Sequence, residues 1–272
     1  MLSMRWIALW LALPLAAQAG PLLPKQFQQR YLSMSFKIGD ETVRIKLKGT
    51  RYQNPKGSKP LDRAKLKDKM LSLVNSELQK DKEGIEELVK PFPIRKHSPI
   101  FHRVFMGEGK PEQIVAVLQL ASRLKSKLGK YWVEKGDLSA TLQHFYLENI
   151  GLNCNGFVGA YAQAVGTRQN SDTQISSYAP AKKRKKKLSQ IKPGDVLVWK
   201  NGSHIGAIQG KRKDGKWDVV EAGGVGRSTP PYGGLGNTVY EFKETGGDVI
   251  KAIKHVPGPK GGPMDCYIVA LK

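Results

Sequence analysis

The order of two hydrophobic patterns is the feature that most constrains the fold of this chain. Apolar residues recur at helical spacing between residues 66 and 166. Alternating, strand-like patterns then follow at 195–199, 204–209, 217–221, 238–242 and 266–271. Consecutive strands without intervening helices pair antiparallel. We therefore expect an α+β fold in which the main helices come first and the strands form an antiparallel sheet.

A hairpin is predicted ahead of the main helices. Alternating apolar residues at 32–38 and 43–47 flank the turn sequence Gly39-Asp40-Glu41. Helical stripes follow at 66–78, at 114–128 and at 138–150, and a helix of small residues runs from 154 to 166. The segment 91–110 carries none of these patterns and is predicted to be an irregular linker.

The first 20 residues predict export. Arg5 precedes an apolar stretch from Trp6 to Ala17, and Ala17-Gln18-Ala19 forms a small-x-small cleavage pattern. We interpret residues 1–19 as a secretory signal peptide, which would place the mature protein in the periplasm or outside the cell. A retained anchor helix is the alternative, but the stretch is short and Pro14 interrupts it. Beyond it no apolar run reaches the ~18 residues of a membrane span, so no transmembrane segment is expected after signal removal.

The charge of the chain predicts an anionic partner. The sequence has 45 Lys and Arg against 23 Asp and Glu, a net charge of +22. Removal of residues 1–19, which carry only Arg5, leaves 44 cations and 23 anions, or +21. Export argues against nucleic acid as the main partner, which leaves a membrane lipid or an anionic cell-wall polymer such as peptidoglycan. The mature protein is expected to be a monomer.

Cys154 stands in a setting that favours a reactive thiolate. Asn153 can cap the helix that begins at Cys154, which places the thiol at the first turn, near free backbone N–H groups and the positive end of the helix dipole. Such positions lower a thiol pKa from about 8.5 to about 3.5–7.5. A buried packing cysteine or half of a disulfide is the alternative for this segment taken alone.

Two further segments supply a histidine and a carboxylate. The sequence Pro193-Gly194-Asp195 predicts a turn that starts a strand, and His204 begins the next strand. Glu221 ends the apolar strand after that, where a carboxylate could orient a histidine ring and stabilise its cation. A structural histidine and a solvated strand-end charge are the alternatives.

Together the three segments resemble the NlpC-type cell-wall peptidase family, a bacterial branch of the papain-like cysteine peptidases. Members usually read Asp-Cys-Ser-Gly-Phe/Leu-Val at the nucleophile helix, then Pro-Gly-Asp, then His-Val-Gly-Ile, and then a third polar residue. The corresponding residues here are 153–158, 193–195, 204–208 and Glu221. The resemblance covers about residues 138–224, roughly a third of the chain.

The resemblance implies a fold and a mechanism. The fold would be a papain-like catalytic domain with the nucleophile helix packed on an antiparallel sheet, preceded by the hairpin and helix region. Cys154 would be the nucleophile, His204 the general base and then acid, and Glu221 the residue that orients the imidazole. The oxyanion hole would include the backbone N–H of Cys154. Asn153 and Asn155 replace the family's usual Asp and Ser, and the upstream Tyr with a Gly-Gly pair is missing.

The spacing of His204 and Glu221 makes a further prediction about the hairpin that joins them. A two-residue Asp214-Gly215 turn would place Glu221 four residues, roughly 13 Å, away from the position opposite His204. A direct His204–Glu221 pair therefore requires a wider loop at about residues 211–214, or a bulge. Asp218 would face the wrong side to replace Glu221.

These inferences predict the domains and the function. The predicted domains are the signal peptide (1–19), a basic hairpin and helix region (20–92) and a papain-like cysteine hydrolase domain (93–272). The predicted function is an exported cysteine peptidase that cleaves amide bonds in peptidoglycan stem peptides through an acyl-enzyme on Cys154. The alternatives are an amidase, acyltransferase or toxin of the same fold acting on another substrate, and a catalytically inactive, basic envelope-binding protein.

The remaining cysteine, the histidines and the lysine run complete the expectations. Cys266, in a C-terminal strand, is expected to be a buried free thiol, with a disulfide as the alternative. No cofactor or metal is expected, because the five histidines show no ligand spacing such as His-x-x-x-His. The basic run at 182–187 lies between Cys154 and His204 in sequence, and we expect it on a solvated loop near the catalytic cleft.

Overall fold

The structure, a computed structural model, describes residues 21–46, 60–80, 97–167, 174–223, 234–255 and 262–271. The predicted signal peptide and the predicted boundary between residues 92 and 93 lie outside the described residues. The chain divides into two compact units. The first contains residues 30–46, 60–80 and 97–151, and the second contains residues 21–29 and the described residues from 152 onward.

The helices and strands are numbered here in chain order. Helices α1 to α7 span Pro24–Leu32, Pro60–Lys80, His97–Phe105, Pro111–Arg123, Lys125–Leu128, Leu138–Asn149 and Cys154–Ala164. Strands β1 to β8 span Ser33–Ile38, Glu41–Lys46, Val196–Trp199, Ile205–Lys211, Trp217–Gly223, Gly234–Glu244, Ile250–His255 and Met264–Val269. Short 3-10 turns lie at Gly129–Tyr131, Ile175–Tyr178, Ala181–Lys183 and Leu188–Gln190.

The first unit contains the predicted hairpin. β1 and β2 pair antiparallel, with Met34 opposite Ile45 and Phe36 opposite Val43, and all four side chains are buried. Alternate residues of a strand point to the same side, so the two strands share one apolar face. That face packs against helices, β1 against α4 and β2 against α6. The hairpin prediction is confirmed, although Leu47, its last apolar residue, lies outside the described residues.

The prediction of a linker at 91–110 is wrong for residues 97–105, which form α3. Phe101, Val104 and Phe105 are buried in the first unit. Their spacing of three and four residues is that of one helix face. The apolar face is short, because α3 has only nine residues.

The second unit is built on a closed barrel of six antiparallel strands in the order β3-β4-β5-β6-β7-β8. The prediction of a papain-like domain, with a nucleophile helix packed on an antiparallel sheet, is therefore wrong. β8 returns to pair with β3, from Val196 opposite Val269 to Trp199 opposite Cys266. Alternating apolar residues predict which face of a strand is buried, but they do not reveal whether the two outer strands meet.

Alternate side chains of the barrel strands fill its interior. β5, β6, β7 and β8 each contribute residues two positions apart, as expected for a strand period of two. The packed interior consists of Leu197, Ile208, Trp217, Val219, Tyr240, Phe242, Ile250, Ala252, Cys266 and Ile268, together with Ile191. Helix α7 packs on β4 and β5.

Both cysteines are free thiols. Cys266 is fully buried in the barrel interior, and its Sγ–H donates to the carbonyl oxygen of Ile250 at 3.1 Å. Burial raises the pKa of this thiol to about 12. The prediction of a buried free cysteine in a C-terminal strand is confirmed.

None of the helices in the described ranges is both long enough and apolar enough to cross a bilayer.

The barrel interior predicts the cost of a cavity. Leu197 is fully buried at the centre of β3. Replacing it with Ala removes buried apolar surface and leaves a cavity, which should lower the free energy of unfolding by about 3 kcal/mol. The measurement is denaturant unfolding followed by tryptophan fluorescence. Lys243→Ala, an exposed change in β6, should stay within about 0.5 kcal/mol of the unchanged protein. Equal effects of the two changes would contradict the barrel core.

Candidate active site

Helix α7 places Cys154 at its first position. Asn153 has extended backbone angles (φ −98°, ψ 168°), and its Oδ1 accepts a hydrogen bond from Gly156 N at 2.6 Å. This is an N-cap, as predicted, and it fixes the direction in which the helix starts. Cys154 is only 3% exposed. The thiol therefore lies at the positive end of an 11-residue helix, largely shielded from bulk water.

His204 lies immediately before β4 and is held on two sides. Its carbonyl oxygen accepts a hydrogen bond from Trp199 N at 3.0 Å, which closes the connection between β3 and β4. The Trp199 ring lies edge-on to the imidazole, with 4.9 Å between ring centroids and 60° between planes. His204 is 6% exposed. Backbone pairing and aromatic packing together restrict the imidazole to few orientations.

The hairpin between β4 and β5 contains the predicted irregularities. Its turn is wider than two residues, because Arg212 N donates to Lys216 O at 2.7 Å. The register also shifts at a bulge between Ile208 and Gly210. Beyond the bulge Ala207 pairs with Val220. A continuation of this register places Gly223, rather than Glu221, opposite His204.

His204 reaches Glu221 diagonally across two glycines. A Cβ atom on Gly223 would lie 3.1 Å from Cε1 of His204. A Cβ on Gly206, the residue opposite Glu221 in the same register, would lie 2.7 Å from Val219 Cγ1 and 3.2 Å from Glu221 Cβ. A side chain at Gly223 would occupy space that the imidazole now uses, and one at Gly206 would collide with Val219 and with the Cβ of Glu221. The absence of a side chain at both positions therefore permits the contact.

Glu221 is the centre of a buried hydrogen-bond network. The residue is 2% exposed. Its Oε2 lies 2.9 Å from His204 Nε2 and accepts from the Tyr240 hydroxyl at 2.9 Å. Its Oε1 accepts from the Thr238 hydroxyl at 2.8 Å and from Lys254 Nζ at 2.6 Å. Four groups on three strand segments thus satisfy one buried carboxylate.

The network keeps Glu221 ionised and His204 protonated. Burial acts to raise the pKa of Glu221, but the charges and hydrogen bonds of His204 and Lys254 outweigh it and hold the pKa far below its usual range. Burial likewise acts to lower the pKa of His204, but the charge of Glu221, reinforced by hydrogen bonds to Cys154 and Glu221, raises it to about 9. At neutral pH the histidine is therefore an imidazolium paired with a carboxylate.

The structure brings all three sequence-predicted residues together. His204 hydrogen-bonds the Cys154 side chain as well as Glu221. Because Nε2 faces Glu221, Nδ1 is the ring nitrogen that remains for the thiol. Asp218 faces away from the site, as predicted, and pairs with Arg212 at 3.3 Å on the barrel exterior. The arrangement can form a thiolate–imidazolium pair whose imidazole is oriented by a carboxylate.

Sequence reasoning missed three partners of Glu221. Thr238 and Tyr240 lie in a segment that was predicted to be a strand, but nothing local connects it to Glu221. Lys254 lies in β7, a strand that was not predicted. Its one sequence signal is the alternation of Ile250 and Ala252, which places Lys254 on the same inward face.

The basic run and His204 adjoin different ends of β3, contrary to the expectation of a loop near the catalytic cleft. Arg184 forms a bridge with Val269, the residue of β8 that pairs with the beginning of β3. His204 adjoins Trp199, at the other end of β3. The run is therefore at the opposite end of the barrel.

Two cations of the run are fixed to the barrel. Arg184 donates to Asp248 at 2.8 Å and covers the ring of Tyr267 at 3.7 Å. Lys185 Nζ lies 3.0 Å from Asp195 Oδ2. The other four, Lys182, Lys183, Lys186 and Lys187, are exposed. Arg184 and Lys185 therefore anchor the basic run to the barrel, and the other four cations are exposed to solvent.

Within the described ranges, no group of three or more His, Cys, Asp and Glu side chains could hold a metal ion. Comparison of the chain with models of protein families, with curated proteins and with solved structures gave no match.

The diagonal contact predicts a strong effect of one methyl group. Gly223→Ala should push the imidazole away from Glu221 and lower the rate at which iodoacetamide labels Cys154 by roughly tenfold, because small displacements of a reacting pair have large effects. Gly236→Ala is the matched control, since Gly236 pairs with Glu221 on β6 and a Cβ there meets nothing within 4 Å. If both variants label at the unchanged rate, Gly223 does not position His204.

Proposed function

We propose that this protein is an exported cysteine hydrolase that cleaves amide bonds in peptidoglycan stem peptides through an acyl-enzyme on Cys154. The observation that carries the proposal is the relay from the Cys154 thiol through the His204 imidazole to the buried Glu221 carboxylate. A nucleophile paired with a base, and a base oriented by a third group, is the arrangement typical of covalent hydrolysis.

In the first half-reaction the thiolate attacks the amide carbonyl carbon. A C–S bond forms, and the carbonyl π electrons move to the oxygen. The backbone N–H of Cys154, at the start of α7, would donate to this oxyanion. The C–N bond then breaks, and the imidazolium of His204 gives its Nδ1 proton to the departing amine. The products of this half-reaction are a free amine and a thioester on Cys154.

In the second half-reaction water replaces the amine. The now neutral His204 removes a proton from water through Nδ1, and the hydroxide attacks the thioester carbonyl. The C–S bond breaks, the carboxylic acid leaves, and the thiolate–imidazolium pair is restored. Glu221 keeps its charge throughout, and it holds Nε2 so that Nδ1 faces the reacting atoms in both steps.

The substrate class follows from charge and sequence. The pattern at 1–19 supports export, and the mature charge of +21 favours an anionic polymer. Stem peptides carry free carboxylates, and the wall around them is anionic. The motif order around Cys154, His204 and Glu221 resembles the NlpC-type cell-wall peptidases, which supports an amide bond of the stem peptide as the target. The fold expected from that resemblance forms no part of the proposal.

The proposal predicts that activity depends on one of the two cysteines. Purified sacculi should release soluble peptides and new amino groups when incubated with the mature protein. Cys154→Ala should abolish this release, because Cys154 carries the acyl group in the proposed mechanism. Release is measured by chromatography of the products and by amine labelling.

Cys266→Ala is the matched control, because Cys266 is also a free, buried thiol but lies in the barrel interior. It should retain activity. Equal digestion by the unchanged protein and by Cys154→Ala would end the proposal. Loss of activity in Cys266→Ala, with activity retained in Cys154→Ala, would identify Cys266 as the nucleophile and would also contradict the proposal.

The basic run predicts a separate effect on binding. Replacing the exposed Lys182, Lys183, Lys186 and Lys187 with Ser removes four charges but keeps the anchors Arg184 and Lys185 in place. Co-sedimentation with sacculi at low salt should fall by roughly tenfold, because each cation contributes to attraction by an anionic polymer. Iodoacetamide labelling of Cys154 should stay unchanged, since the run lies at the other end of the barrel. Undiminished co-sedimentation would show that these charges do not bind the wall.

A further inference from the structure

We propose that Lys254 is a positioning residue. It binds the Glu221 carboxylate together with His204, and it thereby sets the pH range in which the Cys154–His204 pair reacts. The inference rests on the proposed function for its meaning in catalysis. Its physical basis is the geometry of the contacts, because His204 and Lys254 bind different oxygens of the Glu221 carboxylate. His204 Nε2 lies 2.9 Å from Oε2, and Lys254 Nζ lies 2.6 Å from Oε1.

The barrel topology brings Lys254 to Glu221. Lys254 pairs with Tyr240 across β6 and β7, and β6 pairs with β5, the strand of Glu221. Lys254 therefore crosses over the inward-facing Tyr240 to reach the carboxylate, with Nζ 5.9 Å from the centre of the Tyr240 ring. Its side chain is only 15% exposed.

A lysine is a costly residue at this position. Ile250 and Ala252, the preceding inward residues of β7, are fully buried and apolar. Removing an ammonium group from water costs several kcal/mol unless a charge partner compensates for it. Packing alone would be served by another apolar residue. The salt bridge to Glu221 is the compensating contact, which ties Lys254 to the carboxylate that orients His204.

Charge balance gives the direction of the effect. With Cys154 as thiolate, His204 as imidazolium and Glu221 as carboxylate, the triad carries a net charge of −1. Lys254 brings the total to zero. Without the lysine, the excess negative charge disfavours a thiolate and favours a protonated imidazole. The thiolate should then form at higher pH, and the imidazolium should persist to higher pH.

Among the residues that the structure describes, the other groups that face the network do not supply this charge. From β6, Thr238 and Tyr240 donate neutral hydroxyl hydrogen bonds to Glu221. Burial and the neighbouring Glu221 charge raise the pKa of Tyr240 well above the physiological range, so it stays neutral. From β3, Trp199 contributes an uncharged ring, and from β8, Cys266 is a neutral thiol because burial raises its pKa to about 12. Among the described partners of Glu221, the basic side chain besides His204 is Lys254.

The experiment compares three lysine variants of the mature protein. Lys254→Met keeps the length of the side chain and removes its charge, and Lys254→Arg keeps the charge. Lys251→Met is the matched control, because Lys251 lies on the same strand, faces outward and pairs with Asp265. Three quantities are followed from pH 4 to 11. The first two are the iodoacetamide labelling rate of Cys154 and the thiolate absorbance near 240 nm that Cys154→Ala lacks. The third is the set of imidazole signals of His204, which is followed by NMR.

In the unchanged protein the imidazolium should be lost near pH 9, as the raised pKa of His204 requires. In Lys254→Met, both the appearance of the thiolate and the loss of the imidazolium should move to higher pH by about 1 unit. Lys254→Arg and Lys251→Met should leave both midpoints in place. The absorbance and NMR readouts do not depend on access of a reagent to the buried thiol.

Unmoved midpoints in Lys254→Met would overturn the inference, even if the variant is less stable, because a purely structural lysine changes the melting temperature and not the titration. A shift of equal size in Lys251→Met would overturn it too, since the effect would then reflect net charge. If Lys254→Met does not fold, Lys254→Arg is compared with Glu221→Gln. A titration of Lys254→Arg that differs from that of the unchanged protein as strongly as the titration of Glu221→Gln would count against the inference. A titration of Lys254→Arg that equals that of the unchanged protein would support the inference. None of these readouts uses sacculi. A protein that titrates as expected but digests no wall would refute the proposed function and leave the role of Lys254 intact.

Discussion

The buried carboxylate of Glu221 is the constraint on which the site depends. A carboxylate that is 2% exposed is stable only if hydrogen bonds and opposite charges replace its lost water. Its four partners come from the start of β4, from β6 and from β7. β7 reaches Glu221 only because it continues the sheet beyond β6, and the sheet then closes through β8 onto β3. The chemistry of His204 and the closure of the barrel are thus parts of one arrangement.

The backbone adapts to this carboxylate through small residues and a register shift. The bulge between Ile208 and Gly210 moves His204 opposite Gly223, two residues along β5 from Glu221. At that offset a bulky residue in place of Gly223 would separate the imidazole from the carboxylate. A diagonal pair is within reach of long side chains across antiparallel strands. A direct cross-strand pair, which the sequence reasoning assumed, would have set the imidazole beside the carboxylate without crossing Gly223.

The parts of the site that depend on local sequence could be predicted, and the parts that depend on distant pairing could not. Asn153 and Cys154 form a cap and a first helical turn, both of which are encoded within a few residues. His204 and Glu221 mark the beginning of one strand and the end of the next, so the hairpin between them limits their distance. Lys254 is 33 residues from Glu221 and lies in a strand whose alternation is broken, because the apolar Ile253 is on the outward face and the polar Lys254 is on the inward face. Barrel closure has the same origin, because the pairing of β8 with β3 joins residues about 70 positions apart, as in Trp199 and Cys266. The helix α3 was missed for a different reason, since its apolar face consists of only a few residues in a nine-residue helix.

The position of the basic run changes what its charge can do. Its anchors, Arg184 and Lys185, hold it beside the end of β8 and the beginning of β3. The four residues of β3 separate this place from Trp199 and His204, a distance of about 10 Å along the strand. The Debye length at physiological ionic strength is about 8 Å, so exposed charges at this separation are largely screened from each other. Local attraction of substrate into the cleft therefore does not follow from the run. A polyanion that is longer than the barrel can instead contact the lysines at one end while a peptide attached to it occupies the other. On this geometry the charge would act by tethering the whole molecule to a polymer, and the reactivity of Cys154 would depend on the groups around Glu221.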